Sequence, residues 1–245
     1  MQELPPITRI IKYSTTDDDN TMSVVQETIL NILEICNSPD RWEPFYVMLM
    51  FWITMFLYCY LPIHPPDKKV VFHQWTGLHN FFNSTVILMG LVSLYYNDDE
   101  IFSERMTCLW ILSYFSVDLV DCVWRLDVAF TIHAVLCVLL GYINFTNPLC
   151  YALRINSKSA MFEISTPFMH YARSVKKPLP FLVFGILFFA CRIAWIPVIG
   201  WGLLKNGLPP FGIMAIFSYA FYTLNLYWFY KVSNRSCVHT FRQND

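Results

Sequence analysis

The stretch PFYVMLMFWITMFLYCYLPI, residues 44–63, contains no charged side chain. A helix of about 20 apolar residues crosses the hydrocarbon core of a bilayer. With no water there to receive backbone N–H and C=O groups, an isolated segment can satisfy them only as a helix. Pro62, Pro65 and Pro66 end this segment, because proline lacks the donor that would continue the ladder. Similar runs recur at 77–96, 105–124, 127–147, 179–203 and 209–231. Composition agrees with this repetition. Hydrophobic residues make up 56% of the 245-residue chain and charged residues 14%, against about 25% charged in soluble domains. The expected fold class is all-α: a polytopic membrane protein with about six transmembrane helices. The net charge of −1 lacks the clustered Lys and Arg of a nucleic-acid binder, so no nucleic-acid partner is expected.

The charges flanking the runs give an orientation. With six spans, the two termini share one side. Twelve of the 17 Lys and Arg fall on that side, one (Arg192) lies within a span, and only Lys68, Lys69, Arg125 and Lys205 fall opposite. The positive-inside rule places both termini in the cytosol. The polar start of the chain, with the acidic run Asp17-Asp18-Asp19, has no basic-then-apolar leader, so the first span is expected to act as an uncleaved anchor. Three regions follow: a cytosolic tail over 1–40 containing an amphipathic helix, the transmembrane domain over 41–235, and a cytosolic tail over 236–245. The eight cysteines are scattered, without a C-x-x-C pair, and no metal or cofactor is expected.

Ionisable groups inside spans are costly and usually face the bundle interior or a cavity. In the third span, Asp118 and Asp121 share a helix face, with Arg125 one turn beyond as a partner for Asp121. His133 lies about seven residues past the turn into the fourth span and Asp118 about seven before it. At a rise of 1.5 Å per residue both sit roughly 10 Å from the turn. A carboxylate there could hold the imidazole of His133 in one tautomer, as a general base requires, or could simply lock the hairpin. His79 and Asn83 share one face of the second span. Arg192, near the middle of the fifth, costs about 2.5–3.5 kcal/mol on insertion scales and calls for a carboxylate, either Glu163 or Asp118. Asn225 is a further polar group inside the sixth span.

Between the fourth and fifth spans lies EISTPFMHYAR, residues 163–173. Ser159, Glu163, Thr166, His170, Arg173 and Lys177 recur every three or four residues, the spacing of one helix face. The segment is expected to be an amphipathic helix kinked at Pro167. Its Glu163 and Thr166 would reach an interior cavity while Arg173 and Lys177 stay at the headgroups.

In order, SYFSVDLVD (113–121), TIH (131–133), EISTPF (163–168), Arg192 and LNLYWFY (224–230) resemble the TLC-domain family. That family groups the ceramide synthases with smaller TLC-domain proteins, and the likeness covers about residues 40–235. The resemblance implies a helical bundle around a cavity for lipid chains. Ceramide synthases place two adjacent histidines there. His133 matches the first, but the second position is Ala134, and the segment that follows is closer to the smaller members, which are associated with membrane lipid composition and sensing. The expected role is therefore lipid homeostasis in the endoplasmic reticulum, by binding or sensing a lipid in a cavity edged by Glu163, Thr166, Arg192, His79, Asn83 and Asn225. The expected partner is a sphingoid base, a fatty acyl chain or a phospholipid. The alternative is an acyltransferase with His133 as base and Asp118 orienting it. A transporter would use the same groups, but no inverted repeat is visible.

Overall fold

The computed structural model describes residues 39–60, 68–96, 103–175 and 177–242, all helical or turn, with no strand among them. The expected N-terminal tail lies, through residue 38, outside the described residues. The chain parts into two units between Glu43 and Pro44. Residues 39–43 open the first helix, and the packing below concerns the unit from Pro44 onward.

The helices are α1 (Pro39–Tyr60), α2 (Lys68–Tyr96), α3 (Glu104–Trp124), α4 (Val128–Thr146), α5 (Pro148–Ala152), α6 (Ile155–Ser159), α7 (Ser165–Val175), α8 (Pro178–Phe188), α9 (Trp195–Lys205) and α10 (Ile213–Arg242). A 3-10 turn, Ala160–Ile164, joins α6 to α7, and a π-helical turn, Phe189–Ala194, joins α8 to α9. Among the described residues, five segments are long and apolar enough to cross a membrane: Trp42–Cys59, Trp75–Tyr96, Glu104–Trp124, Val128–Thr146 and Pro178–Lys205. The protein is thus an all-α multi-pass membrane protein. The expected sixth span falls on α10, which is long enough at 30 residues but diluted by Tyr219, Tyr222, Asn225, Tyr227 and Tyr230.

Local chemistry sets the boundaries. The Ser103 hydroxyl accepts from Met106 N at 3.1 Å and caps α3. Leu126 takes a left-handed φ of 55° in the turn that follows, and Asp127 caps α4 through Phe130 N at 3.4 Å. Asn147 caps α5, its oxygen 2.9 Å from Leu149 N, with Pro148 at the first position, where its missing donor is not needed. The amphipathic segment changes helical type between Ile164 and Ser165. Pro167 sits in the first turn of α7, again where a backbone N–H has no intrahelical acceptor, so the change of helical type comes just before the proline.

An aromatic core joins α1, α2 and α3. Trp52 is fully buried and meets Trp110 and Tyr114 at ring separations of 4.8 and 5.0 Å. Phe82 and Tyr114 stack at 3.5 Å. At the other end of α2, Gly90 lets the backbone of the connecting segment come close. A Cβ there would lie 2.7 Å from Ala160 Cβ and 2.8 Å from the Ser157 carbonyl oxygen. Gly90→Ala should therefore cost about 1–3 kcal/mol from overpacking, only partly offset by the helix propensity gained. The purified protein should melt at a lower temperature in detergent, and an unchanged melting point would mean that the segment yields freely.

Candidate functional site

The fifth transmembrane segment is irregular where it carries its charge. Arg192 lies in the π-helical turn, a widened turn common at functional positions. It is 5% exposed. Pro197, four residues after Ile193, cannot donate to the Ile193 carbonyl, and the Tyr222 hydroxyl from α10 donates to it instead at 3.3 Å.

Arg192 gathers three parts of the chain. Its Nη2 donates to Glu163 Oε2 and Thr166 Oγ1, both at 3.1 Å. Its Nε donates to the Phe162 carbonyl at 3.0 Å and the Ser165 hydroxyl at 3.3 Å, and its Nη1 reaches Asn225 Oδ1 at 3.4 Å. Thr166 also donates to Glu163, at 2.8 Å. Four expected residues, Glu163, Thr166, Arg192 and Asn225, thus form one cluster, and Glu163 rather than Asp118 is the partner of Arg192. Farther along α7, His170 Nδ1 lies 2.7 Å from Asn80 Oδ1. Burial, and then the charge of Arg173, lower its pKa to about 4, so the ring is neutral at physiological pH. Arg173 and Lys177 are exposed.

Beside this cluster lies a cavity of about 350 Å³, within the range of small-molecule pockets. Its wall is largely apolar, including Phe115, Leu140, Ile155, Phe221 and Met214, with Glu163, Asn144 and Asn156 as polar points. Trp201, Leu204 and Tyr219 also line it and are exposed on the outer surface. The cavity therefore reaches the membrane-facing side between α9 and α10.

Asp118 and His133 do not pair. Among the described residues His133 has one polar neighbour, Cys137 Sγ, at 3.7 Å from Nε2, within a cage of Phe115, Phe221 and Trp228 rings 5.1–5.5 Å away. Phe115, on the same face as Asp118 but one turn earlier, takes the place opposite His133. Asp118 turns toward α2, where His79 Nε2 is 4.0 Å from its Oδ1. The other ring nitrogen of His79 bonds the Tyr114 hydroxyl. Asp121 pairs with Arg125 at 2.5 Å and accepts from Trp75 Nε1 at 3.4 Å. Asn83 is buried one turn from His79.

Sequence reasoning missed one buried carboxylate. Glu104, 1% exposed, accepts from Asn156 N at 2.6 Å and Asn156 Nδ2 at 2.9 Å through one oxygen. Through the other it accepts from Ser157 N at 2.9 Å and Ser157 Oγ at 2.5 Å. Helix α6 has no side-chain cap of its own, and Glu104 supplies it from α3. Asn144 donates to Asn156 at 3.2 Å. At the edge of a span, a glutamate reads simply as the boundary, so no sequence signal separated Glu104 from solvated neighbours.

No family model matches the chain, and neither the curated proteins nor the solved structures give a match.

Proposed function

We propose that this membrane protein binds a lipid, one chain at a time, in the cavity beside the Arg192 cluster, and acts in membrane lipid homeostasis in the manner of the smaller TLC-domain proteins. The observation that carries this reading is the apolar cavity that opens between α9 and α10, with Glu163 in its wall. An acyl chain can enter from the bilayer without crossing water, and its polar end can hydrogen-bond at Glu163, Asn144 or Asn156. Endoplasmic reticulum residence with both termini cytosolic completes the proposal; the orientation rests on the charge bias of the loops. The acyl-transfer alternative has no geometric support of its own: His133 lacks Asp118 as an orienting partner and does not line the cavity.

Gly200 gives a clean test. It lines the cavity, and a Cβ added there meets nothing within 4 Å. Gly200→Phe should fill the space without disturbing the packing. Labelling by a photoreactive acyl lipid in nanodiscs should fall by about tenfold, equivalent to 1.4 kcal/mol of binding, with labelled peptides in wild type mapping to α9 and α10. Equal labelling of both proteins would rule the cavity out as the lipid site.

A further inference from the structure

Among the described residues that line the cavity, only Glu163 is charged. Its charge is already matched. Arg192 Nη2 and Thr166 Oγ1 both donate to its Oε2, and Arg192 is not part of the wall. The ion pair thus presents its carboxylate side to the cavity, and the site as a whole is neutral. A ligand head with a charge of its own would bring that charge, unpaired, into a largely apolar space, which is strongly unfavourable. A carboxylate or phosphate head would in addition face Glu163.

The wall also holds an acceptor that no protein group uses. Asn144 lines the cavity and is 6% exposed, and its Oδ1 accepts from no group among the described residues. The orientation of this amide follows from the bonds around it, and those bonds start at Glu104. Glu104 Oε1 accepts from the Asn156 backbone N–H, which can only donate. The side-chain atom of Asn156 that lies 2.9 Å from the same oxygen is therefore Nδ2. Asn156 Oδ1 is left to accept from Asn144 Nδ2 at 3.2 Å, and Asn144 Oδ1 is the atom left over. A buried acceptor without a donor costs free energy that a ligand can restore. Resting on the reading of the cavity as a lipid site, we propose that it selects a neutral single-chain lipid with a hydroxyl head, and that this hydroxyl donates to Asn144 Oδ1. Glu104, which touches no ligand, is then a positioning residue: through Asn156 it sets which end of the Asn144 amide is free.

The test uses the full chain in nanodiscs, labelled by the photoreactive acyl lipid and challenged with competitors of one chain length. These are hexadecanol, its methyl ether, hexadecylamine and hexadecanoate, compared at equal mole fraction in the bilayer and at a pH where the last two are charged. The methyl ether keeps the oxygen and loses the donor. Hexadecanol is expected to compete at about tenfold lower concentration than each of the others, the order of one buried hydrogen bond. In Asn144→Leu, which keeps the branching and removes the acceptor, the advantage of the alcohol over its ether should vanish. That ratio compares two ligands on the same protein, so lower stability of the variant does not mimic it, and the wild-type comparison decides the matter even if the variant fails to fold. An amine or acid that competes as well as the alcohol, or an alcohol-to-ether ratio near one in wild type or unchanged in Asn144→Leu, would overturn the proposal. If all four compete equally in wild type and Gly200→Phe blocks labelling, the cavity stands as the lipid site and only the head-group assignment falls. If none displaces label from α9 and α10, both fall together.

Discussion

Arg192→Met is expected to destabilise the protein by about 3–5 kcal/mol, the usual cost of removing one partner from a buried ion pair. The substitution strands the Glu163 carboxylate and removes the donor from the Phe162 carbonyl, Ser165 and Asn225. Set against a typical 5–15 kcal/mol of stability, that loss should remove most of the monodisperse peak in detergent and lower the melting temperature of what remains. Two companions separate charge from shape. Arg192→Met with Glu163→Gln should recover part of the loss, because the stranded charge dominates the single variant. Arg192→Lys should recover little, since one ammonium cannot serve acceptors spread around a planar fork. A melting temperature within a degree of wild type in Arg192→Met would show that the cluster does not hold the connecting segment in place.

Glu104→Ala should cost on the order of 3–5 kcal/mol, because it leaves three buried donors unmet, Asn156 N, Asn156 Nδ2 and Ser157 N, and each unmet group costs about 1–3 kcal/mol before relaxation; the Ser157 hydroxyl keeps Ser93 Oγ at 2.8 Å. The damage should be local first. Proteolysis between residues 147 and 165 should accelerate before the spans come apart, since α6 loses its only cap. Glu104→Gln should fall between the two. Its oxygen can still accept from Asn156, but its amide turns a donor toward Ser157 N. If cleavage of the segment proceeds at the wild-type rate in Glu104→Ala, Glu104 is not what holds it.

What could be read from the sequence follows from what varies along a line. Hydropathy is such a quantity, and the runs from Pro44 to Lys205 gave five spans whose ends shifted by only a few residues. An arginine inside an apolar run carries its own requirement for a carboxylate, and Glu163 was a candidate for that reason. The position of Asp118 relative to His133 depends on rotation about two helix axes. Counting residues from the turn fixes height but not facing, and Phe115 took the opposing place. The π-helical turn has no composition that marks it. The Glu104 contacts and the His79–Asp118 contact are assembled across helices from residues that look, one at a time, like a span boundary and an interhelical polar pair.

The contacts of Arg192 also have an order in time. Its acceptors at Phe162, Glu163, Ser165 and Thr166 all precede it in the chain, and only Asn225 follows. During synthesis the carboxylate is therefore already in place when the arginine reaches the membrane. The charge buried in the fifth span meets a waiting counter-ion, and the last helix closes the cluster rather than starting it.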